Sequence, residues 1–215
     1  MNGSTRPCPS AETSGTAAGK AGSSAVNIVL CGVGGQGTIL ASRLIASAAM
    51  KAGMPVKSAE TIGMAQRGGS VFSHLRIGEG AGSPRIGPGQ ADVIIGFEPA
   101  ETVRMLPFLK KGGTVISSAD PVMPVSAMIG ASAYPLTEIL AYLQENVPDL
   151  TLVDSRKAAF DLGSAKCLNV VLLGAALKTG RIGVSKENVL TALKETLPEK
   201  LHPLNIKALH YMESR

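Results

Sequence analysis

Tryptophan is absent from this sequence of 215 residues, aromatic residues make up only 3%, and there are three cysteines. These cysteines, Cys8, Cys31 and Cys167, are far apart, and no two of them form a C-x-x-C pair. Their spacing argues against a disulfide framework, a zinc site or an iron–sulfur cluster held by this chain alone. We therefore expect a protein of the reducing cytoplasm whose core consists mainly of Leu, Ile, Val, Ala and Met side chains.

The sequence signatures of several other protein classes are also missing. No apolar run approaches the ~18–20 residues that cross a bilayer, and the N-terminal segment lacks the hydrophobic core of a secretory signal. No G-x-S-x-G, H-E-x-x-H or phosphate-loop lysine motif occurs. The net charge is +5, but basic residues do not alternate with aromatic ones, which disfavours nucleic-acid binding. We identify no catalytic residue, so we expect this chain to bind or close a site whose reactive groups lie elsewhere.

Composition divides the chain into a tail and one domain. Residues 1–25 are rich in Ser, Gly, Ala, Thr and Pro, so they are predicted to form a disordered tail. Residues 26–213 alternate apolar strand patterns with helical patterns, which is typical of α/β proteins. We expect a single domain with a Rossmann-like, mostly parallel sheet flanked by helices.

The most informative stretch is NIVLCGVGGQG, an apolar strand that runs directly into a glycine-rich turn and then a helical pattern. Its glycines have the G-x-G-x-x-G spacing of a nucleotide-binding strand–turn–helix. In that motif Gly32 permits the tight turn, Gly34 lets the backbone approach a pyrophosphate, and Gly37 lets the helix pack closely. The free N–H groups of the helix start favour an anion. The candidate cofactor-binding residues of this loop are Gly32, Gly34, Gly35, Gln36 and Gly37.

Two further cofactor-binding candidates follow the first helix. Glu60 ends a short predicted strand roughly 20 residues after Gly37, where dinucleotide-binding folds place a ribose-holding acid. Alternatively, its carboxylate faces solvent or pairs with Arg67. Arg67 precedes Gly68 and Gly69 in a loop that can turn sharply, so its guanidinium could reach a phosphate, a carboxylate or a partner surface. Alternatively, Arg67 pairs with an acid within the turn.

Later patterns predict further strands and helices. The side chains of residues 70–77 alternate between two different faces, with Val71, Leu75 and Ile77 on one and His74 and Arg76 on the other. This alternation predicts a strand, with Pro84–Ile86 as the return strand of a hairpin. His74 lies on that strand without an acid or nucleophile beside it, which favours a structural histidine over a base. Ala91–Phe97 is entirely apolar, as is typical of a buried parallel strand, and a helix is expected from Pro99 to about Lys110.

Three segments of the sequence together carry a family resemblance: VGGQG, AETIGMAQRGGSVFSHLRIG and ADVIIGFEPAE. With them, the sequence resembles the gamma-type subunits of the 2-oxoacid:ferredoxin oxidoreductases. Two later segments, CLNVVLLGAALKTG and LPEKLHPLNIKAL, extend the likeness, which runs from about Val26 to Met212. The string AQRGGS is far more specific than the glycine loop alone. Within the family, the sequence is most similar to the small subunits of the indolepyruvate-oxidising members.

The resemblance implies that an aryl 2-oxoacid, such as indolepyruvate made from an aromatic amino acid, is oxidatively decarboxylated with coenzyme A. The products would be an arylacetyl-CoA, carbon dioxide and reduced ferredoxin. A large alpha subunit would supply thiamine diphosphate and the iron–sulfur clusters, so this chain would not be active alone. Gly34–Gly37 and Arg67–Gly69 would face the phosphates of coenzyme A or the partner subunit.

Other functions also remain open on the sequence. The complex could act on pyruvate, 2-oxoisovalerate or 2-oxoglutarate instead of an aryl 2-oxoacid. The glycine loop could belong to a free-standing NAD(P)-linked reductase. The chain could also be a purely structural assembly subunit.

Overall fold

A six-stranded sheet with helices on both faces forms the centre of the molecule. The computed structural model describes residues 25–61, 68–80, 82–123, 125–128, 130 and 133–213, so the predicted N-terminal tail lies almost entirely outside the described residues. The strands are β1 (Val26–Val33), β2 (Val56–Thr61), β3 (Ser70–Ile77), β4 (Ala91–Gly96), β5 (Leu109–Ser118) and β6 (Asp149–Val153). The helices are α1 (Thr38–Lys51), α2 (Pro99–Met105), α3 (Val125–Met128), α4 (Leu136–Asn146), α5 (Ser155–Leu162), α6 (Leu168–Lys178), α7 (Lys186–Thr196) and α8 (His202–His210). Short 3-10 helices cover Leu106–Phe108, Ala165–Cys167 and Glu199–Leu201.

The strand order is β2-β3-β1-β4-β5-β6, and only β3 runs against the common direction. The pairs β1–β4, β4–β5 and β5–β6 are parallel. The central strands are apolar on both faces because helices cover both faces. Ile28 and Leu30 of β1 enter one core, while Val29 and Cys31 enter the other. The predicted Rossmann-like, mostly parallel α/β fold is therefore confirmed.

The two cores differ in size. The larger core lies between the sheet and the helices α1, α6, α7 and α8, and α6 is buried along most of its length. A helix that is apolar nearly all round is typical of such a central position. The smaller core lies on the other face, where Met105 of α2 and Val147, just after α4, pack near Ile94 and Val115. The sheet is thus enclosed on both faces, and its strand ends face the connecting loops.

Two predicted elements differ from the structure. The helix that starts at Pro99 ends at Met105 instead of Lys110, and β5 already begins at Leu109. Pro107 explains the early end because a proline cannot continue the hydrogen bonding of an α-helix. The predicted return strand Pro84–Ile86 is wrong. Both edges of β3 are already paired, with β1 and with β2, so no edge is free for a further strand.

His74 on β3 has a structural environment. It is 5% exposed and lies between the rings of Phe72 and Phe108, with centroid distances of 5.4 and 5.3 Å. The Ile86 N–H donates a hydrogen bond of 2.9 Å to His74 Nδ1. Burial, together with the positive charge of Arg85, lowers the pKa of His74 below its ordinary value of 6.5. The neutral ring thus accepts a buried backbone donor, which protonation of Nδ1 would prevent.

We predict that His74 makes the protein less stable in mild acid. Because its pKa is lower in the folded state, the folded protein binds fewer protons, so stability is full above pH 6.5 and falls as the pH drops below it. Denaturant unfolding should show a loss of at most about 1.4 kcal/mol in the wild type between pH 7.5 and 5.5, because one group binds at most one proton over the one pH unit below 6.5. The H74Q variant has no titrating group at this position, so it should lack this pH-dependent loss of unfolding free energy. An identical pH dependence in both proteins would contradict the prediction.

Candidate functional site

The carboxyl ends of β1, β4 and β5 lie at one edge of the sheet because the three strands are parallel neighbours. In open α/β sheets, ligands bind in the crevice outside this edge. Two cavities open here, on either side of the glycine loop that follows β1. The α6 cavity, of about 470 Å³, is lined by Gly37, Leu40, Asp120, Arg156, Lys166 and Asn169, among others. The α2 cavity, of about 580 Å³, is lined by Gly68, Gly69, Ser70, Glu98, Glu101 and Tyr134, among others.

Gln36 holds the glycine loop against the sheet. The Val33 N–H donates to Gln36 Oε1 at 2.7 Å, and Gln36 Nε2 donates to the Phe97 carbonyl at 2.7 Å. A Cβ at Gly32 would lie 2.8 Å from both Gln36 Oε1 and Phe97 Cβ, so a larger residue would clash there. Both ends of the Gln36 amide therefore bind the backbone of this chain, and Gln36 serves the candidate site by positioning the loop.

Helix α1 presents an open N-terminus to the α6 cavity. It has neither a side-chain cap nor an acidic residue in its first turn. The first N–H groups of a helix lack intrahelical acceptors and carry the positive end of the helix dipole. Gly37, which precedes the helix, has a φ of 83°, and a Cβ there would lie 2.6 Å from Asn169 Nδ2. Asn169 donates a long hydrogen bond of 3.4 Å to the Gly37 carbonyl, so α6 packs directly on this helix start.

Basic side chains lie across the α6 cavity from α1. The charge of Arg156 is offset by Asp120, since Arg156 Nε lies 3.0 Å from Asp120 Oδ1. Lys166 is exposed, and no acidic side chain of the described residues pairs with it. Leu40 and Phe97 belong to the apolar part of the wall. The cavity therefore suits a ligand with an anionic group at the helix start and an apolar body.

The α2 cavity contains two almost fully buried carboxylates, Glu98 at 2% and Glu101 at 4% exposure. Glu98 accepts hydrogen bonds from the Glu101 N–H, at 2.9 Å, and from the Tyr134 hydroxyl. Glu101 accepts from the Ser70 hydroxyl at 2.6 Å and pairs with Arg104. All four carboxylate oxygens thus have a donor from this chain. The network connects α2, the start of β3 and the segment before α4.

These carboxylates also affect the groups beside them. Burial raises the pKa of the Cys31 thiol, and the negative charge of Glu101 raises it further. Burial and the hydrogen bond to Glu98 likewise raise the pKa of Tyr134. Both groups are therefore held in their protonated, neutral forms. Neither Cys31 nor Tyr134 has the lowered pKa of an activated nucleophile.

Three polar residues of this edge were not selected from the sequence as site residues: Glu98, Glu101 and Asn169. The two glutamates lie in the segment FEPAE directly after a buried strand, and the position between a strand end and a helix start is the signal that could have marked them. Asn169 interrupts an otherwise apolar helix, which is an unusual place for a polar side chain. Nothing in the sequence showed which residues these side chains contact.

The two predicted glycine segments meet in the structure. The Gly34 N–H donates a hydrogen bond of 2.9 Å to the Gly69 carbonyl. Gly68 and Gly69 line the α2 cavity together with Val33, the last residue of β1. Arg67 lies outside the described residues. The structure thus joins the ends of the two loops, and the ligand role of Arg67 stays a prediction.

Glu60 lies away from the glycine loop. It is on β2, opposite Ser73 of β3, and β3 lies between β2 and β1. Neighbouring strands are about 4.8 Å apart, so β2 is roughly 10 Å from β1. A ribose-holding acid sits on the strand beside β1 in a dinucleotide-binding fold, and here the antiparallel strand β3 occupies that place. The predicted role of Glu60 requires its strand β2 to lie beside β1, and in this sheet β2 does not.

The described residues contain no group of three or more His, Cys, Asp or Glu side chains that could hold a metal ion. Cys31 and Cys167 are both buried but belong to different cores, on opposite faces of the sheet, and Cys8 lies outside the described residues. An iron–sulfur cluster requires several thiolate ligands around one site, so this donor set does not fit one. In the same part of the chain, no helix has the length and apolar character needed to span a membrane.

Comparisons with known proteins identify the family. The family model for pyruvate ferredoxin/flavodoxin oxidoreductase matches residues 27–211. The indolepyruvate oxidoreductase subunit IorB of Archaeoglobus fulgidus is 43% identical over 86% of this chain and 92% of that protein. The IorB subunit of Pyrococcus horikoshii is 40% identical over 85% of this chain and 91% of that protein.

A solved structure agrees with this assignment. The keto/oxoacid ferredoxin oxidoreductase gamma subunit of Geobacter sulfurreducens superimposes with a TM-score of 0.62 and is 25% identical. The superposition covers 86% of this chain and 94% of that subunit. Sequence and fold therefore lead to the same conclusion: this chain belongs to the pyruvate ferredoxin/flavodoxin oxidoreductase family.

Proposed function

We propose that this chain is the small subunit of a ferredoxin-dependent 2-oxoacid oxidoreductase that acts on aryl 2-oxoacids such as indolepyruvate. The observation that carries the proposal is the similarity to IorB subunits, at 40% and 43% identity over more than nine-tenths of their length. The complex decarboxylates the 2-oxoacid, passes the electrons of the oxidation to ferredoxin and transfers the acyl group to coenzyme A. The products are an arylacetyl-CoA and carbon dioxide.

The reactive groups of this complex belong to a large companion subunit in the proposal. Thiamine diphosphate supplies the carbanion chemistry, and iron–sulfur clusters carry the electrons. The described cysteines do not fit a cluster, and the thiols of Cys31 and Cys167 both have raised pKa values, which disfavours the thiolate form. This chain contributes to the complex by binding and positioning the coenzyme at the carboxyl edge of its sheet.

Of the two cavities at the carboxyl edge of the sheet, the α6 cavity suits coenzyme A better. The anionic phosphates of the coenzyme match the open start of α1 and the charge of Lys166, which has no acidic partner among the described residues, and the apolar wall suits the less polar parts of the coenzyme. The α2 cavity is less suitable because the buried carboxylates of Glu98 and Glu101 would repel a phosphate. The electrostatic difference between the two cavities thus favours the α6 side.

The first prediction concerns assembly. Purified alone, this chain should not reduce ferredoxin with indolepyruvate and coenzyme A, whereas the co-expressed complex with the large subunit should. The measurement is the absorbance change of ferredoxin in an anaerobic assay, together with co-purification of the two chains. Activity of the lone chain, or failure of the two chains to associate, would contradict the proposal.

The second prediction concerns the coenzyme. In the reconstituted complex, K166A should raise the KM for coenzyme A roughly tenfold, which corresponds to about 1.4 kcal/mol, near the low end for a hydrogen bond to a charged group because Lys166 is exposed. The value of kcat and the KM for the 2-oxoacid should stay nearly unchanged, because the proposal places this lysine at the coenzyme and the thiamine site on the large subunit.

K111A is the matched control for this lysine. Lys111 is also exposed, but it lies near the opposite end of β5, seven positions before Ser118, which is roughly 23 Å along a strand. Its replacement should leave the KM for coenzyme A unchanged. An unchanged KM in K166A, or equal increases in both variants, would remove the assignment of coenzyme A to the α6 cavity.

A further inference from the structure

Asn169 is the only polar side chain among the buried residues of α6. It is 4% exposed and yet lines the α6 cavity, next to the start of α1. A buried amide in an otherwise apolar helix needs hydrogen-bond partners, because it is desolvated by its apolar surroundings. The contacts of its two terminal atoms therefore show what the residue is suited to bind.

The orientation of the Asn169 amide follows from its neighbour. The Gly37 carbonyl, which can only accept, lies 3.4 Å from Nδ2, so the amide nitrogen and not the oxygen must face it. Oδ1 is the other end of the amide, and no hydrogen bond among the described residues is donated to it; it is also not among the fully enclosed atoms without a partner, which are Thr38 Oγ1 and Ser73 Oγ. Because Asn169 lines the cavity, this free acceptor is available to a ligand there.

The position of this acceptor restricts the ligand. An anion at the open start of α1 would lie close to Asn169, since Asn169 packs on Gly37 directly before the helix. A bare phosphate beside a carbonyl-type oxygen gains nothing from it and is repelled by its partial negative charge. A phosphate whose neighbouring group carries a donor, such as a hydroxyl, would satisfy the helix start and Oδ1 together.

We infer that Asn169 is a specificity-determining residue, which selects a phosphate with an adjacent hydrogen-bond donor, in the manner of a phosphorylated ribose with a free hydroxyl. The inference rests on the proposed function, because it concerns the same cavity and the same coenzyme. In this role Asn169 provides selectivity between phosphates, which the charge of Lys166 alone does not provide. Lys166 attracts any phosphate, whereas Asn169 distinguishes between phosphates by the group next to them.

The test uses two probes that differ by one hydroxyl group, adenosine 3′,5′-bisphosphate and its 2′-deoxy analogue. Their dissociation constants are measured by calorimetry on the reconstituted complex, with coenzyme A as competitor. The wild type should bind the ribose form about 3- to 10-fold more tightly, as one net hydrogen bond provides. N169A should bind both probes equally.

Control variants separate selectivity from affinity. K166A should weaken both probes by the same factor and preserve the ratio between them, because its charge acts on the phosphate alone. Thermal melting checks the fold of each variant. If N169A does not fold, N169S provides the same comparison, since its hydroxyl is too short to reach the position of Oδ1.

The outcomes separate the role of Asn169 from the assignment of coenzyme A to the α6 cavity. A wild type that binds both probes equally, or an N169A that keeps the preference, would overturn the role of Asn169 while leaving the cavity assignment in place. If neither probe competes with coenzyme A and K166A leaves coenzyme A binding unchanged, the cavity assignment fails and the role of Asn169 fails with it. Loss of the ratio in N169A together with its retention in K166A supports the inference.

Discussion

The carboxyl edge of the sheet depends on one side-chain amide. Gln36 accepts a hydrogen bond from the end of β1 and donates one to the carbonyl of Phe97, directly after β4. Together with the hydrogen bond of 2.7 Å from the Phe97 N–H to the Cys31 carbonyl, this amide ties the glycine loop to the ends of β1 and β4, at the crevice where open α/β sheets bind ligands. The absence of a side chain at Gly32 makes room for this contact. With the loop held in this way, α1 starts at the mouth of one cavity and Gly34 meets Gly69 beside the other.

The two cavities beside this loop differ in how many of their polar groups have hydrogen-bond partners within the chain. In the α2 cavity, the carboxylate oxygens of Glu98 and Glu101 all have donors from the chain itself. In the α6 cavity, the start of α1 has no cap, and both Lys166 and Asn169 Oδ1 lack partners among the described residues. Unsatisfied groups next to an open cavity indicate where a ligand would bind. This contrast supports the proposal, in which the α2 side is a structural support and the α6 side is the binding surface.

Local patterns in the sequence were sufficient for the fold class and for the position of the glycine loop. Apolar runs such as Ala91–Phe97 predicted buried parallel strands, and the glycine spacing after β1 predicted a strand–turn–helix. The pairing of β3 between β1 and β2 could not be predicted, because alternation identifies a strand but not its neighbours. That one insertion displaces Glu60 from the glycine loop. The contact of Asn169 with Gly37 joins residues 132 positions apart, and no local pattern contains such a pair.

In the proposed function, this chain binds coenzyme A at the start of α1. Amide hydrogen exchange of the reconstituted complex, with and without saturating coenzyme A, tests it directly, because the N–H groups there have no intrahelical acceptor and would donate to a bound phosphate. We expect slower exchange in peptides that cover residues 33–41 and 165–172, with little change near Lys111. Unchanged exchange in both peptides, at a concentration where coenzyme A is fully bound, would contradict it.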